Sequence, residues 1–380
     1  MSEKNEIRIV AGEPSGDLHA APVVRAVREQ APDVAFFGIG GERMRAAGVE
    51  TLYDTEAMAV MGLSEVLRRL PFFKRAFREV LRQARRRRPA AAVLVDYPGF
   101  NLRLAAKLHA AGIKVVYYIC PQVWAWNRSR IPHMARIVDR LITIFPFEAE
   151  HFEGTGLRVD FAGHPLAADV DRLRSEPEKP LPWAGRATRL ALLPGSRRHE
   201  IERILPPMAQ AAARLRGDKP DLAALVAAPG AEQAELARAV LRDCGIEEAD
   251  VQVVEGVTRH VLRQATAAMV ASGTATIEAA LFECPMVVVY RVSPLTYLFG
   301  RLLIRVPDIG MVNIVAGRRI CPELVQHTVT PRVLARAAAP LLKDTSDRRR
   351  MIENLRAVRA RLGAGRPAET AAGIILEELQ

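Results

Sequence analysis

Asp96 is a lone carboxylate at the point where an apolar segment ends. The segment "AAVLVD" (91–96) has the composition of a buried strand, and Pro98 and Gly99 separate it from a helical pattern. Asn or Ser would serve equally well as a helix cap there. Because a buried carboxylate is costly, Asp96 indicates either a proton to accept or a partner to hold.

A glycine-containing loop, "AGEPSGD" (11–17), follows the first apolar segment, "IRIVA" (7–11). Ligands in open α/β sheets bind beyond the carboxyl ends of the strands, so we expect this loop to contact a substrate. A structural turn is the alternative, since neither G-x-G-x-x-G nor G-x-x-x-x-G-K-[ST] occurs in the chain. The expected binding residues are Gly12, Glu13, Ser15, Gly16 and Asp17, of which Ser15 and Asp17 can also cap the next helix.

A similar turn opens the second half of the chain, in "LLPGSRRHEIERILP" (192–206). Gly195, Ser196 and Arg197 precede a helix there, so that backbone N–H groups and a guanidinium come together. Both groups favour a pyrophosphate. An exposed arginine beside a capping serine is the alternative interpretation.

The segment "ASGTATIEAALFECP" (271–285) is the sharper signal for a nucleotide sugar. Ser272, Gly273 and Thr274 lie at a strand-to-helix turn, which places backbone amides near a phosphate. Glu278 follows one helical turn later on the same face, where its carboxylate can accept two ribose hydroxyls. The alternative for Glu278 is an acid that the helix dipole favours.

The net charge of +11 is concentrated in residues 66–88, where ten Lys or Arg and one Glu give +9. Pro71 is expected to begin a helix with Phe and Leu on one side. A basic amphipathic helix suits an anionic membrane surface, and a solvated helix face is the alternative. No nucleic-acid motif accompanies the charge, so nucleic acid is not an expected partner. The expected membrane or acyl contacts are Leu67, Arg68, Arg69, Leu70, Phe72, Phe73, Lys74 and Arg75, together with Trp124 and Trp126, for which core packing is the alternative.

Neither a metal nor a cofactor is expected. The four cysteines are scattered and no signal-peptide pattern precedes the first strand, which indicates the reducing cytoplasm. The eight histidines lack metal-ligand spacing, and His164 is expected either to orient a ligand or to be structural. The pair of aspartates in "DVD" (169–171) lies in the expected hinge and not at a strand end, which argues against a metal site.

Strands and helices alternate along most of the chain, the pattern of a parallel, doubly wound sheet. The chain exceeds the size of one typical core, so we expect two such domains. A Pro-rich stretch interrupts the alternation and is expected to be a linker. The expected limits are 1–171 for the first domain, 172–188 for the linker, 189–345 for the second domain and 346–380 for C-terminal helices that return to the first domain or to a partner subunit.

Together, "VAGEPSGDLHA", "MAVMGLSEVL", "VDYPGFN", "CPQVWAW", "GHPLAADV", "LLPGSRRHEI", "SGTATIEAAL", "PMVVVYR" and "NIVAGRRICPELVQ" resemble the lipid-A-disaccharide synthase family. The resemblance implies an α/β fold of GT-B type, with two Rossmann-like doubly wound parallel-sheet domains facing across a cleft. Asp96 matches the proposed general base of the family. By the same resemblance, Arg197 and Asn313 are expected to be catalytic, and Tyr290 and Arg291 are expected to help bind UDP.

The same resemblance implies an inverting, metal-independent transfer. The donor is UDP-2,3-diacylglucosamine and the acceptor is 2,3-diacylglucosamine 1-phosphate (lipid X). The products are a β-1,6-linked disaccharide and UDP. Because both substrates are acylated, we expect a cytoplasmic protein that associates peripherally with the anionic inner face of the membrane. A homodimer is left open.

Two alternatives remain at this point. One is another GT-B protein, either a different UDP-sugar transferase or a UDP-sugar epimerase, which would not need a basic amphipathic helix. The other is a non-catalytic basic protein that binds an anionic surface or nucleic acid, which would not need Asp96, Arg197 and Glu278 at strand ends.

Overall fold

The chain forms two α/β units in the computed structural model. One unit comprises Met1–Pro165 with Gly365–Gln380, and the other comprises Leu166–Ala364. The structure describes residues 6–58, 63–183, 185–248, 250–294, 296–298, 308–363 and 365–379, without the side chains of residues 63–68 and 126. The expected contacts of Leu67, Arg68 and Trp126 therefore lie outside the described residues.

The strands of the first unit are β1 Glu6–Ala11, β2 Ala35–Ile39, β3 Val49–Tyr53, β4 Ala91–Val95, β5 Lys114–Tyr118, β6 Arg140–Thr143 and β7 Arg158–Phe161. They form a parallel sheet in the order β3-β2-β1-β4-β5-β6-β7. The central strands are buried along their whole length, as expected when helices cover both faces of a parallel sheet. Because β1 pairs with β4, the loops that follow these two strands are neighbours at the carboxyl edge.

The helices of the first unit are α1 Pro14–Gln30, α2 Glu42–Ala46, α3 Thr55–Met58, α4 Leu63–Arg87, α5 Pro98–His109, α6 Val123–Trp126 and α7 Ile131–Ala135, with 3-10 turns at Arg128–Arg130 and Pro146–Phe152. The basic segment is α4, which begins before Pro71, so the expectation that Pro71 starts the helix is wrong. Its buried residues Ala76, Val80 and Ala84 pack on one face of the sheet. None of the helices described here is long and apolar enough to cross a bilayer.

The strands of the second unit are β8 Thr188–Leu193, β9 Leu222–Ala228, β10 Val251–Glu255, β11 Ala267–Ala271, β12 Met286–Tyr290 and β13 Glu323–Val325. They form a second parallel sheet in the order β10-β9-β8-β11-β12-β13. Its helices are α8 Pro165–Ser175, α9 Arg198–Asp218, α10 Ala231–Asp243, α11 Thr258–Gln264, α12 Thr274–Leu281, α13 Met311–Ala316, α14 Pro331–Ala338 and α15 Ser346–Arg361, with 3-10 turns at Gln326–Thr328 and Ala339–Leu342. The predicted fold class, two doubly wound parallel sheets, is confirmed.

The limits of the units differ from the expected ones at α8. Instead of a linker from residue 172, α8 continues to Ser175 and packs within the second unit. Arg263 of α11 ends this helix, because its Nη1 donates to Leu173 O (2.6 Å) and Glu176 O (2.8 Å). The buried side chain of Val170 anchors its apolar face.

The C-terminal segment also divides differently. The helix α15 packs on α12 and α13 in the second unit, where Met351, Leu355 and Val358 are buried. Only the last helix, α16 Pro367–Glu377, lies on α1 of the first unit. Buried Arg140 holds the end of α16 there by donating to Glu378 Oε1 at 3.1 Å.

Candidate active site

Asp96 directly follows β4 and opens the turn to α5. Its φ angle is 43° and that of Tyr97 is 51°, both in the left-handed region that residues other than glycine avoid. The Asp96 amide donates to Tyr118 O at 2.9 Å. The Asp96 carbonyl accepts from Asn101 Nδ2 (2.8 Å) and from the Tyr117 hydroxyl (2.6 Å). The turn is thereby bonded to β5 and to α5.

The carboxyl group of Asp96 has the acid–base properties that its position suggested. Burial, and after it the charge of Glu13, raises the pKa of Asp96 to about 6. A group with this pKa is ionised at neutral pH and still basic enough to accept a proton. Glu13 is exposed in the loop after β1, so the structure brings together two of the predicted site residues from neighbouring strands.

Gly12 is needed for the contact between the two loops. A Cβ atom at Gly12 would lie 2.2 Å from Tyr97 Cδ1, so any side chain there would displace the Tyr97 ring. The Tyr97 hydroxyl in turn donates to Met58 O at 3.2 Å. The backbone at Gly12 therefore packs directly against the Tyr97 ring.

The rest of the "AGEPSGD" loop is mostly structural. Asp17 is buried, and its carboxylate accepts from the amides of Gly41 (2.7 Å), Arg43 (3.1 Å) and Met44 (3.0 Å). Asp17 thus caps α2 and not the following helix, and its expected role in binding substrate is corrected. Gly16 is buried in the first turn of α1, whereas Ser15 is exposed.

Trp124 belongs to the core. It is buried, and its Nε1 donates to Glu148 Oε1 at 3.2 Å. Its ring lies edge-on to Phe147 with the centroids 4.9 Å apart. The expected acyl contact of Trp124 is therefore wrong in this structure, since no accessible face is left for a chain. Burial raises the pKa of its partner Glu148 to about 8.

His164 is also buried, at the end of β7, with its ring 4.9 Å from that of Phe145. Burial, and secondly the charge of His19, lowers the pKa of His164 to about 3. The imidazole is therefore neutral at physiological pH. Its packing favours the structural interpretation.

A cavity of about 690 Å³ opens within the second unit at the carboxyl edge of its sheet. Its walls come from the loops after β8, β9, β10 and β11 and from α8. Predicted residues that line it are Gly195, Ser196, Arg197, Ser272, Gly273, Thr274 and Glu278. Its size and position are those of a small-ligand site in a doubly wound sheet. Tyr290 and Arg291 do not appear among the described residues that line it.

The helix start at Arg197 differs from the expectation in one respect. Glu200 Oε2 accepts from the amides of Ser196 (3.0 Å) and Arg197 (3.1 Å), and Glu200 Oε1 accepts from Arg197 Nη1 (3.1 Å). Gly195 is needed for this arrangement, because a Cβ there would meet Glu200 Oε2 at 2.3 Å. The amides that were expected to bind a pyrophosphate are thus used by a capping carboxylate. The Arg197 guanidinium remains largely exposed.

The start of α12 has no such side-chain cap. Gly273, with φ 152°, precedes the helix, and Gly273, Thr274 and Ala275 line the cavity. Ser272 is engaged on both sides, since its amide donates to Val289 O (2.8 Å) and its hydroxyl to Ile309 O (2.9 Å). Of the two helix starts that the sequence singled out, those of α9 and α12, α12 is therefore the better match for an anion.

Glu278 lies on the wall of the cavity beside an arginine that the sequence reasoning missed. Arg259 Nε donates to Glu278 Oε1 (2.8 Å), and Arg259 Nη1 donates to Asp169 Oδ2 (3.0 Å). The pKa of Arg259 is raised by these carboxylates against the opposing effect of burial. In the sequence, "VTRHV" offered no signal for this role beyond its place after a strand.

Asn313 is fully buried and its amide group makes four hydrogen bonds. Its Nδ2 donates to Cys321 O (2.9 Å) and Glu323 Oε1 (2.8 Å), and its Oδ1 accepts from the amides of Ile320 and Cys321. No hydrogen-bonding capacity is left for a substrate, so the expected catalytic role is corrected to a structural one. The exposed Arg291 makes a long contact, 3.5 Å, with Arg203 O.

The aromatic residues of α4 lie partly inside the first unit. Phe72 packs edge-on against Tyr53 (5.8 Å) and Phe73 (5.7 Å), and both phenylalanines contact the core on that side of the sheet. Leu70 is exposed, as are Lys74 and Arg75. The outer surface of α4, over its described side chains, is therefore basic with few apolar groups.

The described residues contain no group of three or more His, Cys, Asp or Glu side chains that could hold a metal ion. The aspartates of "DVD" are both paired with arginines: Asp169 with Arg259 and Asp171 with Arg359. These ion pairs use the carboxylates that a metal would need.

Two doubly wound parallel sheets, with a cavity at the carboxyl edge of the second, are the architecture of the GT-B class of proteins. Solved GT-B structures resemble it: a kitacinnamycin glycosyltransferase has a TM-score of 0.63 at 18% identity over 99% of each chain. A Listeria monocytogenes protein assigned as a UDP-N-acetylglucosamine 2-epimerase has a TM-score of 0.65 at 14% identity over 98% of this chain and 95% of its own.

Sequence comparison gives the particular family. The lipid-A-disaccharide synthetase profile matches residues 7–373. The lipid-A-disaccharide synthase of Anaeromyxobacter sp. strain K is 44% identical over 378 residues, which cover 98% of this chain and 97% of the relative. The chain therefore belongs to the lipid-A-disaccharide synthase family of glycosyltransferases, which acts in lipid A biosynthesis.

Proposed function

We propose that the chain transfers 2,3-diacylglucosamine from its UDP derivative to the 6-hydroxyl of 2,3-diacylglucosamine 1-phosphate. The hydroxyl oxygen forms a bond to the anomeric carbon as the bond to the β-phosphate oxygen of UDP breaks, with inversion. The hydroxyl proton goes to the enzyme and UDP leaves with the electron pair. Family membership supports this reaction class, and the site residues support the assignment of roles.

In this proposal Asp96 is the general base. It is the carboxyl group that the loops after β1 and β4 surround, and its pKa, raised to about 6 by burial and then by Glu13, suits a base at neutral pH. Glu13, whose charge acts on Asp96, and Ser15 are exposed in the loop after β1, where they can contact the acceptor. The roles of Asp17 and Asn313 are confined to holding the backbone.

The nucleotide occupies the cavity of the second unit. The observation that carries this assignment is the uncapped start of α12 beside Glu278. The amides at Thr274 and Ala275 and the exposed guanidinium of Arg197 bind the diphosphate, which stabilises the charge that develops on the leaving group. The Glu278 carboxylate accepts hydrogen bonds from the ribose hydroxyls. Arginine and amide dipoles take the part that a metal plays in other transferases.

The exposed basic side of α4 is the surface proposed to meet an anionic membrane. Each Lys or Arg near such a surface contributes about 1 kcal/mol, screened within a Debye length. Because Phe72 and Phe73 are partly buried against the core, attraction of charge carries more of this contact than insertion of aromatic rings. Association at the cytoplasmic face is thus proposed to be peripheral and reversible.

The experiment is a UDP-release assay with both acylated monosaccharides in the presence of excess EDTA. The proposal expects UDP and disaccharide in equal amounts, and no release when the acceptor is omitted. UDP-N-acetylglucosamine without an acceptor tests the epimerase alternative. Formation of a 2-epimer from it, with no disaccharide from the acylated pair, would overturn the proposal, and a requirement for added Mg²⁺ or Mn²⁺ would overturn the metal-free mechanism.

A further inference from the structure

The turn after β4 is held in an unfavourable backbone conformation. Asp96 and Tyr97 are consecutive, neither is glycine, and both have left-handed φ angles. Such conformations persist only where surrounding contacts determine them, and they occur preferentially at functional sites. The question is therefore which contacts hold this turn.

Two buried side chains converge on one carbonyl oxygen. The Tyr117 hydroxyl of β5 lies 2.6 Å from Asp96 O, and Asn101 Nδ2 of α5 lies 2.8 Å from the same atom. Asn101 Nδ2 also lies 3.1 Å from Val95 O. Both side chains have essentially no exposed surface. They supply side-chain donors to backbone carbonyls at the end of β4 and in the turn that follows it.

These bonds fix the peptide group between Asp96 and Tyr97, and so the direction in which the Asp96 side chain leaves the backbone. We propose that Tyr117 and Asn101 are positioning residues for Asp96, which hold its carboxyl group at the orientation and depth that proton transfer needs. This inference rests on the proposed role of Asp96 as the base. Neither residue is assigned contact with the substrate.

The charged surroundings of Asp96 make the inference measurable as a pH profile. Glu13 faces it from the loop after β1, Tyr117 and Cys120 face it from β5 and the residues beyond, and Glu148 faces it from the 3-10 turn Pro146–Phe152. Burial is the main cause of its raised pKa. If the turn relaxes, water reaches the carboxyl group and its pKa falls towards the ordinary value.

Tyr117→Phe is the test variant, because it removes one hydroxyl and little volume. Tyr118→Phe is the matched control: the same change on the next residue, whose ring packs in the apolar core on the opposite face of β5. We measure kcat/KM from pH 4.5 to 8, UDP affinity and the melting temperature. Tyr117→Phe should lower kcat about tenfold, the scale of one lost hydrogen bond to the turn. It should also move the acid limb from near pH 6 to lower pH, with UDP affinity unchanged.

Asn101→Leu is the second variant, since it removes the donating amide at almost the same volume and adds no charge. It should lower kcat more than Tyr117→Phe does, because Asn101 Nδ2 contacts Val95 O (3.1 Å) and Val10 O (3.4 Å) in addition to Asp96 O. If Asp96→Asn is inactive while Tyr117→Phe keeps the parental pH profile and rate, the positioning role of Tyr117 is wrong and the assignment of Asp96 as the base stands. A lower melting temperature with an unmoved acid limb would show a merely structural role and would also overturn it. If Asp96→Asn keeps the parental turnover, the assignment of the base fails instead.

Discussion

Arg259 bridges two carboxylates in the cavity of the second unit, with its Nε 2.8 Å from Glu278 Oε1 and its Nη1 3.0 Å from Asp169 Oδ2. This contact uses Glu278 Oε1, and among the described residues Oε2 has no recorded hydrogen bond. It also fixes the Glu278 side chain to α11 and, through Asp169, to α8. The carboxylate that we propose to bind the nucleotide is thus supported from outside its own helix.

The first prediction concerns this carboxylate. Glu278→Ala should weaken UDP binding roughly 10- to 100-fold, since hydrogen bonds to a charged group contribute about 1.5–3 kcal/mol. The loss should be much smaller for 2′,3′-dideoxy-UDP, which lacks the hydroxyls. Glu202→Ala, an exposed glutamate of α9, is the control. Equal losses for both nucleotides, measured by calorimetry, would show that Glu278 does not bind the ribose.

The second prediction concerns the leaving group. Arg197→Ala should weaken UDP and slow turnover together, because its exposed guanidinium is proposed to bind the diphosphate in the ground state and more strongly as charge develops. The control is Arg198→Ala, the next residue, which pairs with Glu202. Affinity by calorimetry and turnover by UDP release are the measurements. Parental values for Arg197→Ala would mean that the amides of α12 suffice.

The third prediction concerns the buried acid Glu148, whose pKa is raised from 4.5 to about 8, chiefly by burial. Between these two pH values the folded state binds more protons than the unfolded state, so the free energy of unfolding falls as the pH rises. The stability that accompanies the neutral form of Glu148 is complete below pH 4.5 and is lost as the pH rises through 8. Glu148→Gln stays neutral. The melting temperature of the variant minus that of the parent should therefore increase as the pH rises from 6 to 9.

The control for that comparison is Glu150→Gln, an exposed residue in the same 3-10 turn, which should follow the parent at every pH. If the melting temperatures of the Glu148→Gln protein and of the parent differ by the same amount at every pH, Glu148 is ionised in the folded protein.

The fourth prediction concerns α4. Reversal of Lys74, Arg75 and Arg78 to Glu should release the protein from vesicles rich in anionic lipid at low salt, in a co-sedimentation assay. The control reverses an equal charge on exposed residues of the second unit, Arg332, Arg336 and Lys343. UDP affinity reports on folding in both. If the α4 variant sediments like the control, its basic side is an ordinary solvated helix face.

The fold was largely predictable because its signals are local. Apolar strands such as "AAVLV" and "LAALVAA" and the alternation with helices identify parallel sheets without knowledge of contacts. The errors arose where a polar side chain bonds to a distant segment. Asp17 caps a helix that begins 25 residues later, and Asn313 bonds to residues 320–323. The position of Asp96 after a buried strand is a local signal that the sequence shows, whereas the position of Arg259 in the cavity needed the folded contacts with Asp169 and Glu278.

The most direct test of the central claim is the turnover of Asp96→Asn with both acylated substrates between pH 5 and 8. The proposed base predicts a loss of roughly 100-fold or more at neutral pH, with UDP affinity unchanged. In the parent, activity should fall as the pH drops through about 6, where Asp96 becomes protonated, and the variant's residual activity should lack this limb. Near-parental turnover of a folded, UDP-binding Asp96→Asn protein would contradict the account.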